Sequence, residues 1–95
     1  MITNLWTLEA EADFNRIFTY LENVSINFAK RFYNKIISIE NQIIKYPYSG
    51  RIVPESEEER IREIIFEKYR FIYYMKSEEI IEILSIIPQS QNFKI

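Results

Sequence analysis

The chain has no cysteine and no histidine among its 95 residues. Without cysteine there are no disulfides, no thiol nucleophile and no thiolate metal site. Without histidine as well, a zinc site would need carboxylates alone, and serine–histidine or cysteine–histidine catalytic pairs are impossible. A single glycine and three prolines leave little room for strained turns, so regular elements should dominate. No apolar run approaches the roughly 18–20 residues that a membrane span needs. The opening "MITNLWTLEAEADF" lacks the basic stretch and apolar run of a signal peptide, so a soluble, cytoplasmic protein with no membrane association is expected.

What is present is isoleucine, 19 residues of it, within a hydrophobic content of 47%. That content, with 27% charged residues, places the chain among globular proteins. Its length suits a single domain, 1–95. Net charge is −2, divided as +1 over residues 1–54 and −3 over residues 55–95. The chain therefore lacks the clustered positive charge that draws proteins to nucleic acid.

Residues 2–7 alternate as a short strand. Thr7 suits an N-cap, with Glu9 and Glu11 near the positive end of the helix that follows. There Phe14, Ile17, Phe18 and Leu21 recur at helical spacing, and the helix should end near Asn23. Ser25 caps a second helix whose stripe is Phe28, Phe32, Ile36, Ile39 and Ile43. The short connection makes the pair an antiparallel hairpin, stopped by "YPYSG" at 46–50. Residues 51–59 read as a loop. Three strands follow at about 60–66, 69–75 and 79–87, joined by connections of two to three residues. The tail from Pro88 has no clear element. The class is α+β: an N-terminal strand and a helical hairpin packed on one face of a small, mainly antiparallel sheet of about four strands.

Alternation in "YRFIYYM" places Tyr69, Phe71, Tyr73 and Met75 on one face and Arg70, Ile72 and Tyr74 on the other. If the registers allow, Arg62, Arg70 and Glu82 share that second face. Arg51, Arg62 and Arg70 beside Glu55 and Glu63 would make an anion pocket if they converge, because guanidinium groups fork onto phosphate and stay charged. The alternative is a set of solvated residues paired across strands. Tyr74 is the tyrosine best placed to join such a site. The "ESEEE" run at 55–59 lacks the ligand spacing of a calcium loop. No metal or cofactor is expected.

The segments "LWTLEAEADFNRIFTYL", "GRIVPE", "IREIIFEKYRFIYY" and "IIEILSI" resemble, in order and spacing, those of the RelE/ParE toxin superfamily. The resemblance spans nearly the whole chain. It implies the toxin component of a type II toxin–antitoxin module, a growth inhibitor bound by a cognate antitoxin. Some members cut mRNA on the ribosome; the ParE-like branch poisons DNA gyrase. By resemblance, Glu55 falls where RNA-cutting members keep a carboxylate and Arg70 where they keep a transition-state arginine, the catalytic pair if this chain cuts RNA. Arg51, Arg62 and Tyr74, read from the residues themselves, are the candidate substrate contacts. Many relatives have a histidine near the position of Pro88, and "IIPQSQNF" has none. That departure, with the slightly acidic charge, favours a ParE-like toxin over a ribosome-dependent endoribonuclease. A degenerate toxin that only binds its antitoxin is the third reading.

Overall fold

The computed structural model describes residues 1–94. Its elements are β1 (Thr3–Trp6), α1 (Leu8–Val24), α2 (Ile26–Lys45), β2 (Arg51–Ile52), β3 (Ile61–Phe66), β4 (Tyr69–Met75) and β5 (Ile80–Pro88). The strands form one sheet in the order β1-β5-β4-β3-β2. β1 runs parallel to β5, and the other neighbours are antiparallel. The expected α+β hairpin-on-sheet arrangement is present, with one strand more than anticipated. Arg51 and Ile52 lie opposite Glu63 and Arg62 and add a two-residue edge strand where a loop was read.

Local chemistry accounts for the helix boundaries. The Thr7 side chain accepts from Ala10 N, and the Ser25 side chain from Phe28 N. Ser25 serves twice, since its own N–H donates to Leu21 O at the end of α1. One residue thus ends one helix and starts the next. Ile17 of α1 and Phe32, Ile36, Ile39 and Ile43 of α2 are buried against Phe71, Tyr73, Met75, Ile81, Ile83 and Ile86 of the sheet. Phe28, read as the first residue of the α2 stripe, is exposed, and Ala29 takes the inner position.

β5 carries a bulge. Ile72 faces Ser85 and Tyr73 faces Ile83, so Leu84 has no partner across the ladder. Helix α1 satisfies the polar groups around this break. Thr7 Oγ1 donates to the carbonyls of Ile83 and Leu84, and the buried Asp13 carboxylate accepts from Ser85 Oγ and Ile86 N, each at 2.9 Å.

The single glycine sits where two strands and a side chain crowd together. Gly50 N donates to Tyr73 Oη at 3.1 Å, and Tyr73 Oη donates to Pro47 O at 2.7 Å. A Cβ at Gly50 would lie 2.7 Å from Glu63 O and 2.7 Å from Tyr73 Oη. Close approach, not backbone dihedral, is what requires glycine here. Gly50→Ala should therefore destabilise the fold by about 1–3 kcal/mol, the usual range for forced overpacking. A urea midpoint within error of wild type would contradict this.

Candidate functional site

Arg70 lies in the sheet face opposite the helices, and only 5% of it is accessible. It occupies that face because β4 alternates: Phe71, Tyr73 and Met75 point into the helical core, while Ile72 packs with Val53 and Ile87 in a second cluster on Arg70's side. The two-residue turn at Glu67-Lys68 sets what stands opposite. Arg70 pairs with Ile65 and Ile72 with Glu63, so Glu63 shares Arg70's face and Arg62 does not. The expectation that Arg62 joins Arg70 is thus corrected. Arg62 pairs with Tyr73 and lies on the helix side of the sheet. Its Nε donates to Glu59 O, and its Nη1 donates to Tyr48 O and Gly50 O, which ties the 46–50 turn to β3.

The remaining charges alternate in sign. Arg51 Nε donates to Glu63 Oε2 at 2.6 Å, and Glu63 Oε1 accepts from Arg70 Nε at 2.7 Å. Arg70 Nη1 and Nη2 then clasp Glu55 through two bonds of 2.7 Å, a bidentate fork. Arg70 Nη1 also donates to Gln91 O, and Phe93 N donates to Glu55 Oε2 at 3.0 Å. Phe93 packs on the Val53–Ile72–Ile87 cluster. The tail, though irregular, is tied over the site by backbone groups.

Electrostatics follow from this pairing. The hydrogen bonds from Arg70, then that from Phe93 N, hold the Glu55 carboxyl down at about 2. Arg70 is held still further above its already high value, first by Glu55 and also by Glu63. Glu55 is thus a committed carboxylate and lacks the raised pKa of a general base working near neutrality. An open depression of about 360 Å³ lies above the cluster, edged by Arg51, Pro54, Ile65, Gln89 and Asn92. Arg51 is the most exposed member, its side chain 62% accessible, while Glu55 reaches solvent in part.

Of the residues singled out from sequence, Glu55, Glu63, Arg51 and Arg70 come together. Tyr74 shares Arg70's face, yet its ring lies against Arg60, whose guanidinium carbon is 5.6 Å from the ring centroid. Glu82 stands opposite Tyr74, as the face assignment expected. Sequence reasoning missed Asp13, Gln91 and Phe93. Asp13 had one readable signal, a carboxylate on the helix face that also carries Ala10 and Ile17. The tail residues had none. Among the described residues no cluster of acidic side chains is arranged to hold a metal ion, and no helix is long and apolar enough to cross a membrane.

Removing Arg70 leaves Glu63 buried with half its pairing, so Arg70→Ala should cost about 3–5 kcal/mol, the usual penalty for breaking a buried pair. Glu55 adds a pH dependence. Its folded pKa lies below its ordinary value of 4.5, so its stabilisation is complete above about pH 4.5 and is lost as pH falls toward 2. Urea midpoints measured across that window should slope less in Glu55→Gln than in wild type. Parallel slopes would contradict the pairing.

Compared with solved structures, the chain matches one described as the chromosomal ParDE toxin–antitoxin system from P. aeruginosa. The TM-score is 0.70 at 24% identity, covering 93% of this chain and 96% of that one. At that identity the likeness speaks to the fold. Curated protein sequences give no match. The sequence profile of the ParE toxin of type II toxin–antitoxin systems, parDE, matches residues 5–93, from within β1 to the pinned tail. The chain therefore belongs to the ParE toxin family of type II toxin–antitoxin systems.

Proposed function

We propose that the protein is the growth-inhibiting toxin of a two-protein module, held inactive by a cognate antitoxin, and that it acts by binding a protein target such as DNA gyrase rather than by cutting RNA. The observation that carries the second half is the state of Arg70. A guanidinium has five N–H donors. Here Nε serves Glu63, Nη1 serves Glu55 and Gln91 O, and Nη2 serves Glu55. A phosphate in flight would have to compete with two carboxylates already in place. Stabilising developing negative charge needs donors aimed at the reacting group and free to meet it. Arg70 and Glu55 are better suited to a structural clamp.

The rest of the chain supports the same reading. There is no histidine to move a proton, and the net charge of −2 gives no field to draw in RNA. Arg51 keeps an exposed guanidinium beside the depression, but it too is paired, with Glu63. Family membership and the likeness to a ParDE structure support the toxin half of the proposal and the existence of an antitoxin.

The test is a short pulse of expression followed by mapping of cellular RNA 5′ ends, with purified protein assayed on gyrase supercoiling in parallel. Growth arrest with no new ends inside translated codons, and inhibited supercoiling, is the expected result. New ends within codons would overturn it in favour of a ribosome-dependent endoribonuclease with Glu55 and Arg70 as catalytic residues.

A further inference from the structure

Helix α2 carries two stripes, and the domain covers only one of them. Ala29, Phe32, Ile36, Ile39 and Ile43 are buried. Ile26, Lys30, Tyr33, Ile37, Glu40 and Ile44 follow one another at alternating steps of four and three, the spacing of a coiled-coil seam. They fall within about 80° of arc, centred about 100° from the buried stripe at 3.6 residues per turn. Its four apolar members are between 38% and 53% accessible. A helix that serves one core needs no second apolar stripe.

The two charged members decide what covers it. Trp6 Nε1 donates to Glu40 Oε2 at 2.9 Å and fixes that carboxylate at the seam. Glu40 edges a depression with Glu11, Tyr33 and Ile37, and among the described residues no cation lines it. Lys30 stands beside Phe18, Tyr33 and Asn34, where no carboxylate is present. Among the described residues Lys30, Glu40 and Glu11 make no ion pair. One end of the seam therefore lacks an anion and the other lacks a cation.

A second copy of α2 laid antiparallel supplies both. When residue i of one copy meets residue 70 − i of the other, Lys30 faces Glu40, Tyr33 faces Ile37 and Ile26 faces Ile44. Each contact then occurs twice about a two-fold axis. The incoming Lys30 also meets Glu11, which shares the depression with Glu40. No other alignment matches the charges. A parallel pair sets Lys30 on Lys30, and sliding the antiparallel pair by a heptad sets Lys30 on Tyr33 or Glu40 on Ile37. Along the solvent side of the seam stand Asn27, Asn34 and Asn41, which bring no charge to oppose the approach.

We propose that α2 is a self-association surface, through which two copies of the chain pair antiparallel as a two-fold dimer. The inference does not depend on which target the toxin acts upon.

The test is sedimentation equilibrium of purified full-length protein over a concentration series, with thermal unfolding to read the fold. Wild type should dimerise. Lys30→Glu and Glu40→Lys each set like charges in contact twice and should weaken association by roughly tenfold or more. Mixed in equal amounts, the two variants should regain wild-type association, because the mixed pair restores a Lys–Glu contact at both ends. Lys35→Glu, on the far side of α2, should associate as wild type. Wild type that stays monomeric up to roughly 200 μM would overturn the proposal, being weaker than a specific interface should be. So would undiminished association of Lys30→Glu, or folded variants that do not recover on mixing. If Glu40→Lys unfolds for want of the Trp6 acceptor, Lys30→Glu alone decides.

Discussion

A carboxylate with 1% of its surface accessible, Glu63, sets the terms for one whole face of this molecule. Burying a charge in a sheet is costly unless it is paired and its remaining lone pairs are met. Arg70 meets one oxygen and Arg51 the other. Arg70 is then itself a buried cation with donors to spare, and Glu55 takes two of them. Because Glu55 belongs to the connection between β2 and β3, satisfying Arg70 draws that connection onto the sheet and brings Val53 to complete burial. A further Arg70 N–H and the Glu55 carboxylate draw in the tail through Gln91 and Phe93. One buried charge thus organises a strand, a loop and a terminus in succession.

The two sides of the sheet are held by different physics. Toward the helices the contacts are aromatic and aliphatic, with Phe32 between Phe14, Phe66 and Tyr69 and Trp6 edge-on to Phe14 and Phe71. Away from them the apolar cluster is small, built on Val53, Ile72 and Ile87, and the alternating charges supply much of the rest. Asp13 is the exception on the helical side. It caps a bulge that would otherwise leave Ile86 N unpaired, and so fixes α1 to β5.

Much of this was readable in advance, for reasons that differ from element to element. The α2 stripe from Phe32 onward and the alternation of "YRFIYYM" are direct statements about which side chains avoid water, and the structure follows them, Phe28 excepted. The face of Arg62 was not read correctly because alternation within a strand does not fix how two strands face each other. That is settled by the turn. Two residues at Glu67-Lys68 put even-numbered positions of β4 opposite odd-numbered positions of β3, which selects Glu63 over Arg62. The path of the tail was illegible because it is held by main-chain groups, Gln91 O and Phe93 N, which every residue type carries. The edge strand β2 was illegible because two residues are too few to show a period.

The pairing of β1 with β5 has a consequence for the order in which the molecule can be made. Thr3 to Trp6 hydrogen-bond alongside Ile80 to Ile83, the longest-range pairing in the sheet. During synthesis the helical hairpin and the β3–β4 hairpin can form as soon as they leave the ribosome, because their contacts are local. The strand that joins β1 to the rest of the sheet is missing until residues 80–88 follow. Until then β1 has no neighbour, the Thr7 hydroxyl has no carbonyl to meet, and Asp13 has no bulge to cap. Closing a loop of that length is the slow kind of step in folding. Until β5 is made, the nascent chain therefore lacks the strand that secures its first strand and first helix.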